Sequence, residues 1–214
     1  MSAQPAHILD FDELLAFEEA SEVRHEYIGG RLYAMAGGTP DHADLGTNIA
    51  IAVGGRLRGK PCRGSSNDQR VRTSDKAKNW YYPDFLIKCP PYRFHPRDKN
   101  ALLNPRAIFE VLSPETAEFD RTGKFDEYAL IPELTDYILI SSDKIRVEHF
   151  HRAGEGEWTQ RVYRTRDAQL RLETFGIVVP LGEIYEDIEL PDQTVLPGMS
   201  DDDFNLGLSL SDRE

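Results

Sequence analysis

Two acids sit where acids are costly. Asp84 follows Tyr82-Pro83 and opens the apolar run Phe85-Leu86-Ile87, and Glu110 interrupts Ile108-Phe109 and Val111-Leu112. Both segments have strand composition, and strand side chains alternate faces. Asp84 therefore shares a face with Tyr82 and Leu86, and Glu110 with Ile108 and Leu112. An unpaired carboxylate among apolar neighbours is unfavourable. Two of them on adjacent strands repel unless a proton or cation lies between them. A hard divalent cation is one economical answer, since Mg²⁺ accepts one or two carboxylates and leaves room for a phosphate. Pairing of Glu110 with Arg72 or Arg106, or a turn-shaping role for Asp84, would satisfy the same residues without chemistry.

The spacing of apolar residues predicts the elements that must carry these groups. A short helix over 11–20 starts after Asp10, with Asp10 or Asp12 as its cap. Gly29-Gly30 between two apolar runs predicts a hairpin. A second helix is expected over 42–57, capped by Asp41, with Leu45, Ile49, Ala52 and Val53 as its buried stripe. Strands are expected over 66–73, 80–89 and 106–113, with a basic, Pro-rich loop at 90–105. A helix over 118–131 comes next, then a hairpin-like pair at 136–143 and 144–152, and further strands at 157–164 and 169–180. This order predicts a mixed α/β sheet domain.

In order along the chain, these residues resemble the PD-(D/E)XK nuclease superfamily. More closely, they resemble the bacterial "putative restriction endonuclease" family within it. The matching residues are His25-Glu26-Tyr27-Ile28-Gly29-Gly30, His42 at the next helix start, and Tyr82-Pro83-Asp84. Glu110-Val111-Leu112-Ser113-Pro114 follows, and then Asp120-Arg121-Thr122-Gly123-Lys124 through Tyr128. The likeness spans roughly residues 10–190. It implies a restriction-endonuclease-like mixed β-sheet core flanked by helices, with an N-terminal hairpin and additional C-terminal strands.

The same resemblance implies a metal-dependent endonuclease acting on nucleic acid, DNA foremost. Glu26, Asp84, Glu110 and Lys124 would be catalytic. Mg²⁺, with Mn²⁺ as a substitute, would be held by Asp84, Glu110 and the Val111 carbonyl. One departure stands out. The superfamily's lysine belongs two residues after the acid, where this chain has Leu112. The resemblance implies that Lys124, on the following helix, supplies the ammonium instead. A non-catalytic nucleic-acid- or protein-binding module on the same fold is the alternative. A hydrolase of small phosphorylated compounds would need a closed pocket.

Composition bounds the partners. The chain has 214 residues and a formal charge of −12. That charge is carried by the ends, because residues 1–22 hold six acids and no Lys or Arg, and residues 183–214 hold ten acids and one Arg. Residues 54–72 carry six bases and one acid. A local polyanion site is therefore compatible with an acidic protein. Arg56, Arg58, Arg63, Arg72 and Arg97, with His42, are the candidate nucleic-acid contacts, and Asp68 and Gln69 are expected to line the cleft.

The remaining expectations concern organisation. A single domain over 1–190 and a poorly ordered acidic tail over 191–214 are expected. No apolar stretch is long enough to cross a membrane and no secretory leader opens the chain, so no membrane partner and a cytoplasmic location are expected. Cys62 and Cys89 are read as free thiols of a reducing compartment. Superfamily members often form homodimers to cut both strands, but no pattern here sets the oligomeric state.

Overall fold

The computed structural model describes residues 10–35, 37–114, 116–154, 156–190 and the backbone of 206–209. Helix α1 (Phe11–Ala20) begins at Asp10, whose carboxylate accepts from the Asp12 and Glu13 amides, while the Glu13 carboxylate accepts from the Asp10 amide. This reciprocal capping satisfies donors that a helix start leaves open. Strands β1 (His25–Ile28) and β2 (Arg31–Ala34) form the expected hairpin. Its Gly29 and Gly30 have φ of 57° and 87°, the left-handed conformations that a two-residue turn of this kind needs.

Helix α2 (Pro40–Arg56) begins earlier than its apolar stripe suggests. Its cap is Thr39 rather than Asp41: the Thr39 hydroxyl accepts from the His42 amide, and Pro40 fills the first turn, where its missing N–H costs nothing. Leu45, Ile49, Ala52 and Val53 are all buried, as expected.

Short strands β3 (Arg63–Ser66) and β4 (Arg70–Val71) replace the single strand expected over 66–73. Next come β5 (Phe85–Lys88), β6 (Ala101–Leu102) and β7 (Pro105–Leu112). The helix expected over 118–131 is three pieces: α3 (Ala117–Phe119), a π-helical turn (Asp120–Lys124) and α4 (Phe125–Ala129). Strands β8 (Asp136–Ser141), β9 (Val147–Gly154) and β10 (Glu157–Tyr163) follow. A hairpin of β11 (Gln169–Leu172) and β12 (Ile177–Pro180) leads into α5 (Leu181–Ile184).

The central mixed sheet runs β3-β5-β7-β8-β9-β10. At its edge, β13 (Leu206–Ser209) pairs with β10, and the rest of the acidic tail, 191–205 and 210–214, lies outside the described residues. Only β7 and β8 are parallel among these pairs, and the segment from α3 to α4 is the crossover that parallel pairing requires. That crossover lies on one face of the sheet, where Phe125 and Tyr128 pack on Leu86, Ile108, Tyr137 and Leu139. The opposite face is covered by α2 and the β12–α5 segment, over Phe85, Phe109, Val111 and Ile138. Among the described residues, no helix is long and apolar enough to cross a membrane.

The cysteines correct the free-thiol expectation. Arg63 pairs with Lys88 in the β3–β5 ladder, so Cys62 and Cys89 are the next cross-strand pair, with Cα atoms 4.2 Å apart and a disulfide between them. Sequence distance hides this, because antiparallel register is what brings positions 27 apart face to face.

Candidate active site

Three elements converge on Lys124. The hairpin delivers Glu26 because Tyr27 exchanges backbone bonds with Trp80, so β1 runs alongside the chain that enters β5. Glu26 then accepts the Tyr82 amide at 3.2 Å. Strand β7 delivers Glu110, and the crossover delivers Asp120 and Lys124. The Lys124 ammonium lies 3.1 Å from Glu26 Oε1, 3.3 Å from Asp120 Oδ1 and 3.5 Å from Glu110 Oε1. Tyr128, one turn further along, donates its hydroxyl to Glu110 Oε1 at 3.2 Å.

Asp84 sits at the adjoining position. The β5–β7 ladder ends at Phe85 opposite Phe109, so Val111 has no strand partner on that side. Asp84 Oδ2 fills the gap by accepting the Val111 amide at 2.7 Å. A strand residue points its N–H and C=O to the same edge, so the Val111 carbonyl is directed to the Asp84 side as well. His42 Nε2, from the first turn of α2, lies 3.5 Å from Asp84 Oδ2.

The π-helical turn has visible supports. The Tyr137 hydroxyl donates to the Asp120 carbonyl at 2.9 Å. Arg121 grips Glu148 of β9 through Nε and Nη2, each at 2.9 Å. The turn keeps Asp120 and Lys124 paired while carrying Phe125 down into the apolar layer against Tyr137, Phe150 and Trp158. Such turns inside α-helices frequently mark functional sites.

Burial grades across the site. Glu110, Asp120 and Lys124 are buried, whereas the side chains of Asp84 and His42 keep 15% and 25% exposure, so solvent reaches the site at those two. Burial pushes the Glu110 carboxyl well above the usual range, Lys124 opposes the shift, and Asp84, Asp120 and Glu26 add to it. Burial raises Asp84 too, against the pull of His42, the Val111 amide and Lys124. Burial alone would lower Lys124, but the carboxylates of Glu110, Glu26 and Asp120 outweigh it and hold the ammonium firmly charged. Four acids thus face one lysine and one histidine. Oxygen donors with surplus negative charge are the kind of set that suits a hard divalent cation.

The structure therefore brings Glu26, Asp84, Glu110 and Lys124 together, with His42 beside them. Leu112 is buried in the apolar layer and takes no part. The basic residues are another matter. Arg56 ends α2, fourteen residues and about 21 Å from His42, and it pairs with Glu183 at 2.6 Å. Arg58 follows it, and Arg63 sits opposite Lys88, at the end of β5 away from Asp84. Arg72 is buried beneath the Phe11 ring at 4.4 Å and donates to the Ala77 carbonyl. That placement corrects its reading as a nucleic-acid contact. Arg97 is exposed but pairs with Asp12 and stacks on Phe11 at 4.9 Å. Asp68 and Gln69 line a polar cavity of about 380 Å³ together with Arg24, Tyr82, Phe94 and Lys99.

Asp120 and Tyr128 were legible in the sequence as motif positions but carried no assigned role. A further cluster, Asp136, His149 and His151, gave no signal there, because only strand register unites it.

A mixed sheet between two helical layers, with Glu26, Asp84, Glu110 and Asp120 gathered near Lys124, defines a restriction-endonuclease-like α/β fold. The chain belongs to the Uma2 family, described as "putative restriction endonuclease", whose model matches residues 11–182. Two proteins of Synechocystis sp., each described as uncharacterized, are similar in sequence. The first, slr1290, is 32% identical over 177 residues, covering 81% of this chain and 90% of that protein. The second, sll1609, is 30% identical over 151 residues, covering 71% and 85%. A crystal structure from Anabaena variabilis, titled a putative nuclease belonging to DUF820, shares the fold. Its TM-score is 0.65 at 17% identity, covering 81% of this chain and 96% of that one.

Proposed function

We propose that the chain is a metal-dependent endonuclease of the PD-(D/E)XK type that hydrolyses phosphodiester bonds in nucleic acid, DNA foremost. The observation that carries this reading is Lys124. It reaches the acids of β7 and the hairpin from the crossover helix, at 3.5 Å and 3.1 Å, although the strand position that should hold the lysine is Leu112. An ammonium held among three carboxylates, two of them on other elements, is what this reading requires of its lysine.

Asp84, Glu110 and the Val111 carbonyl would hold Mg²⁺ or Mn²⁺, which supplies Lewis acidity toward the phosphodiester. The Val111 amide fixes the Asp84 carboxylate, and Tyr128 fixes Glu110. Lys124 has three donors on a flexible stem, and it can turn from Glu26 and Asp120 toward an attacking water and the charge that develops on the phosphate. Glu26 and Asp120 keep that ammonium charged and aimed. His42, at the mouth, would orient Asp84 or meet the backbone. The polar cavity beside Tyr82, with Arg24 and Lys99, is better placed to follow a nucleic-acid backbone than Arg56, Arg58 or Arg63.

The test is nicking of supercoiled DNA by purified protein with Mg²⁺ or Mn²⁺. Lys124→Met keeps the stem and removes the ammonium. It is expected to cut about 10²–10³-fold more slowly, corresponding to roughly 2.7–4 kcal/mol in the barrier, by analogy with loss of one preorganised donor. Equal rates would remove Lys124 from the mechanism. A wild type that cuts no nucleic acid with any divalent ion would favour the non-catalytic module, the reading to which the apolar Leu112 points.

A further inference from the structure

A second cluster lies in the same sheet on the opposite face. Asp136 opens β8, facing Ala107 on β7 and His151 on β9. His149 stands two residues before His151, on the same face of β9. Alternation places all three with Ile138 and Ile140 on the α2 side, whereas Glu110 pairs with Leu139 on the other side. Three strand positions, about 10 Å, separate the two sites along the sheet, in addition to its thickness.

The geometry is convergent. His149 Nε2 lies 2.8 Å from Asp136 Oδ1, and His151 Nδ1 lies 2.9 Å from the same oxygen. The three ligand atoms all fall within 4.8 Å of one another. Asp136 is fully buried and His149 nearly so, while the His151 side chain keeps 37% exposure. The approach to the cluster is therefore from the His151 side. Asp136 Oδ2 is held by the Thr135 hydroxyl at 2.7 Å. That hydroxyl also lies 2.9 Å from the Arg106 carbonyl, so a hydrogen-bonded support stands behind the carboxylate. Among the described residues the ion-pair partners of Asp136 are these two imidazoles.

We propose that Asp136, His149 and His151 form a second metal site, taking one divalent transition ion of the zinc class. Two imidazoles and one carboxylate are a borderline donor set that suits Zn²⁺ or Co²⁺ and not the hard Mg²⁺ or Ca²⁺. A His-X-His pair on one strand face, completed by a cross-strand acid, supplies three corners of a tetrahedron and leaves the fourth to water on the open side. Ligands about 2.0–2.1 Å from a tetrahedral ion stand about 3.3–3.4 Å apart. The observed 2.8 Å and 2.9 Å need to open by about half an ångström, within the reach of small χ rotations. On binding, the protons that the two rings now direct at Asp136 shift to the far ring nitrogens or leave to solvent, and the ion takes their place. The Thr135 contact is the kind of second support that orients a ligating carboxylate. The ion would staple β8 to β9 and neutralise a carboxylate buried inside the sheet.

The test uses the full chain without a polyhistidine tag, stripped with chelator, with Zn²⁺ or Co²⁺ alone as the probe. Asp84→Asn serves as the parent, so that occupancy of the cleft does not confuse the count. One Zn²⁺ per chain by native mass spectrometry is expected, together with the intense visible spectrum of four-coordinate Co²⁺. His151→Gln alters the most exposed ligand and should fold. It is expected to lose affinity by more than the 10–100-fold typical of supporting residues. Unchanged affinity in His151→Gln overturns the proposal. So does a parent that gives no four-coordinate Co²⁺ spectrum, a reading that depends on no variant at the cluster. Neither result bears on DNA cleavage, which is read separately in the wild type.

Discussion

Glu110 and Asp136 are both buried acids, on adjacent strands of one sheet, yet their surroundings drive them in opposite directions. Burial pushes Glu110 well above the usual carboxylate range, because its helpers are one lysine at 3.5 Å and one tyrosine at 3.2 Å, and other acids crowd it. Burial would raise Asp136 too, but hydrogen bonds from His149, His151 and Thr135 outweigh it and hold the carboxyl well below that range. What distinguishes the two faces is the company each acid keeps. On the crossover face, oxygen donors are in surplus, and the proposed hard cation rests on that imbalance. On the α2 face, nitrogen donors already satisfy the acid, and an ion of another kind fits among them.

The sharpest way to break this comparison is a double dissociation. Asp84→Asn removes one ligand of the proposed Mg²⁺ site, and it should reduce nicking by at least about 10³-fold, since a catalytic metal contributes several kcal/mol of charge stabilisation. The same protein should take up Zn²⁺ at the Asp136 cluster unchanged. His151→Gln should show the reverse, with DNA nicking as in the wild type and Zn²⁺ uptake lost. If either variant impairs both, the two faces are not independent.

A smaller effect sharpens the contrast in the metal-free protein. Glu110→Gln removes a carboxyl whose raised pKa means that its ionised form opposes folding above the usual Glu range. At neutral pH the variant should melt at a higher temperature than the wild type. Asp136→Asn weakens two charge-assisted bonds, one to the buried His149 and one to the part-exposed His151, and it should lower stability by roughly 1–3 kcal/mol. Shifts of the same sign in calorimetry would show that the two acids do not differ as described.

The two sites also differ in how far sequence reveals them. Asp84, Glu110 and Lys124 lie in order along the chain with apolar runs around the acids, so both the strands and the conflict are visible in the residue order itself. Asp136, His149 and His151 read as ordinary polar positions of two strands, and only the β8–β9 register joins them. The disulfide was hidden for the same reason, since the β3–β5 register decides it. Arg72 misled because charge suggests exposure, whereas Phe11 covers it. The break of the crossover helix into a π-helical turn had no local signature, because partners distant in sequence, Tyr137 and Glu148, are what hold it.

The smallest predicted effect concerns that turn and is a matter of pH. Glu148 is buried, with Arg121 and Arg146 on Oε1 and Gln160 on Oε2 at 3.0 Å. Burial would raise its carboxyl, but the bonds from Arg121 and Arg146 outweigh burial and hold it below the ordinary value. A carboxyl depressed in the folded state contributes stability that is present above its unfolded pKa and is lost as pH falls through the folded one. Glu148→Gln should therefore cost about 1 kcal/mol near neutrality, a modest figure because both arginines are partly exposed to solvent. The gap between wild type and variant in denaturant titrations should close as pH falls below about 4, since the wild type loses the interaction there and the variant has none to lose. Arg121 sits three residues before Lys124, so loosening it should also slow nicking at neutral pH, by less than Lys124→Met does. A gap that stays constant with pH would mean that Glu148 acts as a packed polar group, and that its charge does not hold the turn against β9.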